Sequence, residues 1–355
     1  MALDYQKELD ELLQTVIAEG ASDLHFSAHS RPILRVSGNL IPLVKKPEYT
    51  PEDTRGILAA LVGAVKLAEF DDAQELDFSY SYKTAARFRG NAFIQQGSVS
   101  IALRLIPKQI KTFAELNLPP ILETFTQLQQ GFFLVVGPVG QGKSTTLAAM
   151  IEKINQDRTE HILTIEDPIE YTFESKNSVI NQREVKIDTH TFQSALLSAF
   201  RQDVDVVMVG EMRGPETMSA AVTAAETGHL VLSTLHTNNA AQTIDRIIDT
   251  FPSTQQDQIR LQLASSLAGI FSQRLVPRIS GGLVPAYELL INTEAVSNLI
   301  RERRTHEINA VIETGSELGM IDMNRTLAEL VRRGEVTPEV AIARSLNPKT
   351  FMRLI

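Results

Sequence analysis

The densest chemistry in the sequence lies in Gly137-Pro138-Val139-Gly140-Gln141-Gly142-Lys143-Ser144, which matches G-x-x-x-x-G-K-[ST] in full. The apolar run Gly131–Val136 enters it, and a helical pattern over 143–156 leaves it. In that context glycines let backbone N–H groups converge on phosphate oxygens, and the helix N-terminus adds positive potential. Lys143 supplies a point charge to the same oxygens, and the Ser144 hydroxyl suits Mg²⁺. Gly137, Pro138, Gly140, Gly142, Lys143, Ser144 and Thr145 are therefore the candidate nucleotide-binding residues. The segment reads as the binding site of a nucleoside triphosphate.

Three further segments bring carboxylates and histidines. Val206–Val209 is an apolar strand followed by Gly210 and Glu211, so Glu211 stands where a strand beside the loop delivers its acid, a candidate for polarising the attacking water. Ile162–Ile165 runs into Glu166, Asp167 and Glu170, of which Glu166 is the candidate for a role near Mg²⁺ or the water. The stretch 228–236 carries His229 and His236. Their spacing is not that of a helical zinc pair, which leaves two readings, hydrogen-bonded strand-end histidines or a γ-phosphate sensor.

These residues need elements to hold them. Apolar runs at 131–136, 162–165, 204–209 and 230–235 read as buried parallel strands. Helical patterns separate them at 143–156, 190–201, 215–227 and 239–249, the rhythm of an α/β nucleotide-binding core. From about 254 the chain reads as mostly helical, broken near Ser280-Gly281-Gly282. Before the core, a helix at 4–19, strands near 24–27, 33–36 and 40–44, a helix at 51–70, and strands at 76–82, 87–95 and 99–106 predict a small α+β domain on an antiparallel sheet. The expected division is 1–106 for this domain, 107–120 for a linker ending in Pro119-Pro120, and 121–355 for the core.

Composition narrows the classes. Lys and Arg number 34 against 43 Asp and Glu, a formal charge of −9, so the chain lacks the basic surplus of a nucleic-acid-coating protein. No nucleic-acid partner is expected. Cysteine is absent, which excludes disulfides, a thiol nucleophile and thiolate zinc sites. The acidic, amphipathic start is unlike a secretory signal, and no apolar run approaches a membrane span, so a cytoplasmic location is expected.

Taken together, GPVGQGKSTTLAAM, ILTIEDPIEY, VVMVGEMRGPET and GHLVLSTLHTNNA stand in the order of the Walker A, Asp, Walker B and His boxes of the secretion ATPase superfamily, which the chain resembles. ASDLHFSA, RFRGNAF, NQREV, AETGHL, AVSNLIRE and SELGM extend the resemblance to the PilT-type ATPases that retract type IV pili, over nearly the whole chain. The resemblance implies a RecA-like P-loop core of α/β class, an N-terminal α+β PAS-like domain and a helical C-terminal region. It implies a homohexamer that hydrolyses ATP with Mg²⁺, peripheral at the inner face of the cytoplasmic membrane. Its partners would be an inner-membrane pilus platform protein and, indirectly, the pilin filament. Lys143 and Ser144 would serve phosphate and Mg²⁺, Glu166 the Asp-box role, Glu211 the catalytic carboxylate and His229 the His-box role. Arg87, Arg89 and Arg104 occupy positions matching arginines that reach the triphosphate from the N-terminal domain. Arg87 and Arg89, two apart on one strand, share a face.

The chain departs from the pattern at Val139 and Gln141 in the loop, at Gly214 where an Asp is common, and at Val296 and Ser297 in the AVSNLIRE segment. Within the superfamily the alternatives are an accessory PilU-like ATPase and a pilus-assembly or type II secretion ATPase, the latter disfavoured by the missing zinc cysteines. From another class, a nucleic-acid translocase is disfavoured by the acidic charge.

Overall fold

Alternation of apolar and polar side chains, with a glycine beneath an aromatic ring, builds the first sheet. In the computed structural model residues 3–36, 38–83 and 85–355 are described; Met1 and Ala2, at the start of the expected first domain, and Ser37 and Thr84 within it lie outside. Helix α1 (Tyr5–Ala18) starts at Asp4, whose carboxylate accepts from Lys7 N–H, and buries Leu9, Leu12, Leu13 and Val16. There follow β1 (Asp23–Phe26), β2 (Ile33–Val36), β3 (Asn39–Pro42), α2 (Pro51–Ala73), β4 (Glu75–Tyr82), β5 (Ala86–Gln95) and β6 (Ser98–Ile106). A reciprocal capping box of Thr50 and Asp53 opens α2, which is interrupted by a non-helical Gly63. The strands are antiparallel in the order β3-β2-β1-β6-β5-β4.

On one face Leu24, Leu34, Leu103, Phe78 and Phe88 join the α1 and α2 side chains in a single core. Gly90 sits under the Phe78 ring, where a Cβ would come within 2.2 Å, so no larger residue fits there without moving the aromatic. Glu8 fastens α1 to the segment before α2, accepting from Tyr49 Oη at 2.5 Å and from Lys46 Nζ at 2.8 Å.

The chain divides into two compact units, one running up to Gln109 together with Glu170–Thr172, the other comprising Ile110–Ile169 and Phe173–Ile355. Much of the segment expected as a linker at 107–120 belongs to the second unit, where Phe113 and Leu118 are buried in the core. Apolar residues spaced through that segment make it part of the packing.

The second unit contains α3 (Leu122–Thr126), β7 (Gly131–Val136), α4 (Lys143–Asp157), β8 (His161–Glu166), β9 (Val179–Glu184), α5 (Phe192–Ala199), β10 (Val206–Val209), α6 (Pro215–Glu226), β11 (Leu230–Leu235), α7 (Ala240–Asp249), α8 (Ser253–Ser266), β12 (Leu267–Pro277) and β13 (Leu283–Ile291). Helices α9 (Glu294–Arg301), α10 (Ile308–Thr314), α11 (Met323–Arg332), α12 (Pro338–Arg344) and α13 (Pro348–Phe351) complete it. The sheet order is β13-β12-β7-β11-β10-β8-β9, parallel except for β13. Phe132, Leu134 and Val136 of β7 enter one core, and Phe133 and Val135 the other, so this strand is apolar on both faces.

The expectation of a mostly helical region from about 254 holds for α8 and for α9 onward but not between them. There β12 and β13 form a hairpin, turning near Gly281-Gly282, that extends the main sheet. Polar side chains disguise these strands. Ser272, Gln273 and Glu288 are buried yet bonded, while Pro285 is tolerated on the edge strand. Strand β9 is also absent from the sequence reading; its half-exposed VINQRE gives no apolar run.

Glu288 accepts from Ala240 N–H at 2.8 Å, at the first turn of α7. Burial pushes its carboxyl up to about 7, with Asp322 adding to the rise and the Ala240 N–H and Arg274 opposing it. Between the unfolded value of 4.5 and about 7 the folded chain holds a proton that the unfolded chain releases, so this group's contribution to stability falls as pH rises through that window. Glu288→Gln keeps the acceptor and removes the charge. Its melting temperature is expected to exceed that of the unsubstituted chain at pH 8 and to converge with it near pH 5, as read by thermal unfolding across that range; equal spacing at both ends refutes the assignment.

Candidate nucleotide site

Parallel strands deliver their following residues to one edge of the sheet, and the phosphate loop, Glu166 and Glu211 gather there. Val136 ends β7 beside Leu235 of β11, and Val209 of β10 pairs with both Ile165 and Ser233. The phosphate loop, Glu166, Glu211 and His236 therefore share the carboxyl edge of β7, β8, β10 and β11.

The loop backbone depends on glycine. Gly137, Gly140 and Gly142 have φ of 147°, 74° and 79°. At Gly137 a Cβ would approach the Gln273 carbonyl oxygen to 2.3 Å, which only glycine avoids. Pro138 continues the turn, and Gly142 leads into α4, whose first turn carries no side-chain cap. Its N–H groups are thus available to an anion. Ser144 and Thr145 are half-buried in that turn. Lys143 is buried and donates from Nζ to the carbonyls of Gly137 at 2.8 Å and Pro138 at 2.9 Å.

From the lysine a line of polar groups crosses the edge. Lys143 Nζ lies 3.3 Å from His236 Nδ1, and His236 Nε2 lies 3.4 Å from Glu211 Oε1. An ammonium group only donates, so Nδ1 accepts, and a neutral ring carries its hydrogen on Nε2, toward the carboxylate. Arg213 donates to Glu211 Oε2 from Nε and Nη2, each at 3.1 Å. Glu211 is held from behind as well: Ser233 Oγ and Thr234 Oγ1 donate to the carbonyls of Val209 and Gly210, both at 2.7 Å. Glu166 is buried and accepts from Thr164 Oγ1 at 2.8 Å.

Among the described residues no group of three or more histidine, cysteine or acidic side chains could hold a metal ion. The donors at the edge are the Ser144 hydroxyl and the Glu166 and Glu211 carboxylates. That set suits Mg²⁺ carried by phosphates, which keeps waters and takes few protein ligands.

A match to the Type II/IV secretion system protein family spans residues 4–334. The chain belongs to that family. The type IV pilus retractation ATPase PilT of Pseudomonas aeruginosa is 42% identical over 344 residues, which cover 97% of this chain and all of that protein. The type IV pilus ATPase PilU of the same organism is 40% identical over 339 residues, 95% of this chain and 88% of its own. A crystal structure of the pilus retraction motor PilT with bound ADP superposes with a TM-score of 0.90 at 45% identity, covering 97% of this chain and 98% of the other. This secretion system protein is a P-loop ATPase of α/β class.

Not every predicted residue of the family member reaches the site. His229 precedes β11, at the opposite end of the sheet from the loop; the six residues of β11 put roughly 20 Å between them. Its Nδ1 lies 3.0 Å from the Ala224 carbonyl oxygen and its ring meets Phe200 edge-on at 5.4 Å. Within one chain the histidine of the site is His236, and the signal for it was position: it stands just past the carboxyl end of β11, as Glu211 stands past Gly210 at the end of β10. Gly214, the departure from the common Asp, is the N-cap of α6.

In the first unit the register makes Arg89 and Arg104 direct cross-strand partners, and Asp23 pairs with both Arg104 and Arg35. Arg104 Nε donates to Asp23 Oδ1 at 2.8 Å while its side chain stays 69% exposed. Burial raises the Asp23 carboxyl, but bonds from Ser22 and Arg104 outweigh it and hold the group below the usual range. Arg87 lies two residues from Arg89 on the same face.

Sequence reading missed Gln273, whose side chain accepts from Thr146 Oγ1 at 2.7 Å and donates to the Gln141 carbonyl at 2.8 Å. A buried glutamine in an unrecognised strand left no signal.

Glu211→Gln preserves shape but removes the negative charge facing His236. ATP turnover is expected to fall about 10²-fold or more while ADP affinity holds within a few-fold, measured by phosphate release and calorimetry. His236→Ala is expected to lower turnover at least about tenfold by freeing Glu211 and Lys143 from their common partner; turnover equal to that of the unsubstituted chain would remove His236 from the site.

Proposed function

We propose that this chain is the hexameric, cytoplasmic motor of a type IV pilus system, hydrolysing ATP with Mg²⁺ to drive filament retraction. The observation that carries this reading is the full-length likeness to the ADP-bound retraction motor, at a TM-score of 0.90. The intact Lys143, Ser144 and Glu211 support it. The motor works at the inner face of the cytoplasmic membrane on an inner-membrane platform protein, and through it on the pilin filament. Among the described residues no helix is long and apolar enough to cross a membrane.

In this reading the loop amides and Lys143 hold the phosphates, and Ser144 presents its hydroxyl to the metal. Mg²⁺, when bound, neutralises charge on the phosphate oxygens. Glu211, aimed by His236 and Arg213, orients the attacking water, with Glu166 beside it. Arg87, Arg89 and Arg104 meet the triphosphate when the N-terminal and core domains close. Their charge then contributes chiefly in the closed arrangement, so ATP has unequal affinity for the two arrangements and shifts their populations. Release of phosphate removes that preference.

Arg104→Ala is expected to cut ATP turnover per subunit at least about tenfold in a ring that still assembles, with assembly followed by light scattering. Arg303→Ala, which removes only an exposed pair with Asp257, serves as the control. Full turnover in an assembled Arg104→Ala ring would exclude that arginine from the nucleotide. In the cell, deleting the gene is expected to leave pili that extend and do not retract; continued retraction refutes the motor reading.

A further inference from the structure

Strand β12 runs past the end of its neighbour. Its pairing with β7 ends at Ser272 opposite Val136, whereas its pairing with β13 continues to Pro277. On the overhang Leu275 stands opposite Pro285 at a non-hydrogen-bonded position of the antiparallel ladder, where a proline costs no bond, so the Leu275 N–H points away from β13 toward the phosphate loop. There it donates to Gln141 Oε1 at 2.8 Å. Gln273, two residues earlier, faces the same way, with its carbonyl against Gly137 and its Nε2 donating to the Gln141 carbonyl at 2.8 Å. Gln141 is thus bonded through side chain and main chain to the stretch of β12 that another strand would have covered.

We propose that Gln141 is a positioning residue: its side chain stands in for a strand partner of Leu275, holds the crown of the phosphate loop in its phosphate-receiving shape, and thereby sets nucleotide affinity. The inference rests on the reading of this loop as the nucleotide site and is independent of the pilus. A crown anchored in advance loses less conformational freedom when phosphates arrive, so the anchor acts on binding more than on the chemical step. Lys143 and Ser144 lie on the helix side of the loop, away from the bond to Leu275, and keep their own contacts.

The test compares the full-length chain with Gln141→Met, close in length but without an acceptor, and Gln141→Ser, which is too short to reach. ADP with Mg²⁺ is titrated by calorimetry, ATP turnover is measured at steady state, and exchange of the Leu275 amide is followed by hydrogen exchange. The expected result is a Kd for ADP and a KM for ATP both raised about 3- to 10-fold, the fold-change of one hydrogen bond, with kcat carrying less of the loss than KM. The Leu275 amide should exchange faster in both variants. An unchanged ADP affinity in Gln141→Met overturns the proposal, as does a loss confined to kcat or an unaltered Leu275 exchange rate. Failure of ADP to bind the unsubstituted chain would instead sink the nucleotide-site reading, and the two failures are told apart by that single titration.

Discussion

Close approach between the phosphate loop and β12 is the constraint on which the rest of the core is arranged. Gly137 passes the Gln273 carbonyl so tightly that a single added carbon would collide with it, so the loop geometry requires both the glycine and the strand in that place. The strand stays in place because β13 covers its other side and because Gln273 Nε2 and the Leu275 N–H are both bonded to Gln141 of the loop. Loop, strand and hairpin therefore act as one unit. The lysine is part of it: its contacts with Gly137 and Pro138 close the loop on itself, and His236 extends the line toward the carboxylate.

Buried polarity has a structural role throughout this half of the sheet. Gln273, Ser272 and Glu288 would be costly in an apolar strand, yet each satisfies a backbone or side-chain group of a loop that leads to the site. Ser272 donates to the Asn238 carbonyl and Glu288 accepts from Ala240, so the segment after His236 is held at both ends before α7 begins. Ser233 and Thr234 do the same for the end of β10. The site is positioned mainly by strand-borne hydroxyls, amides and one carboxylate behind the residues that would touch nucleotide.

The N-terminal sheet solves a different problem. One face is a closed apolar core under two helices, and the other brings Arg35 and Arg104 to Asp23, with Arg89 directly across from Arg104. Pairing Arg104 with Asp23 steadies a long side chain that remains mostly exposed. A guanidinium fixed in this way keeps donors free for a second anion, which a fully exposed, unpaired arginine would meet less often in the right orientation.

Much of this was determined by the sequence alone. The phosphate loop between an apolar strand and a helix, the acids at the carboxyl ends of β8 and β10, and the alternation of the first sheet are local patterns, and local patterns are legible because a helix or strand imposes a fixed period on its own residues. Helix α4 and strands β7 and β11 fall where periodicity put them. Tertiary structure alone decided the rest. The β12–β13 hairpin carries polar residues whose partners lie far along the chain, as Thr146 does for Gln273 and Ala240 for Glu288, so no window of sequence reveals that they can be buried. The choice between His229 and His236 was open for the same reason. Both flank one strand, and only the direction of that strand in a parallel sheet sends one histidine to the loop and the other to the far edge.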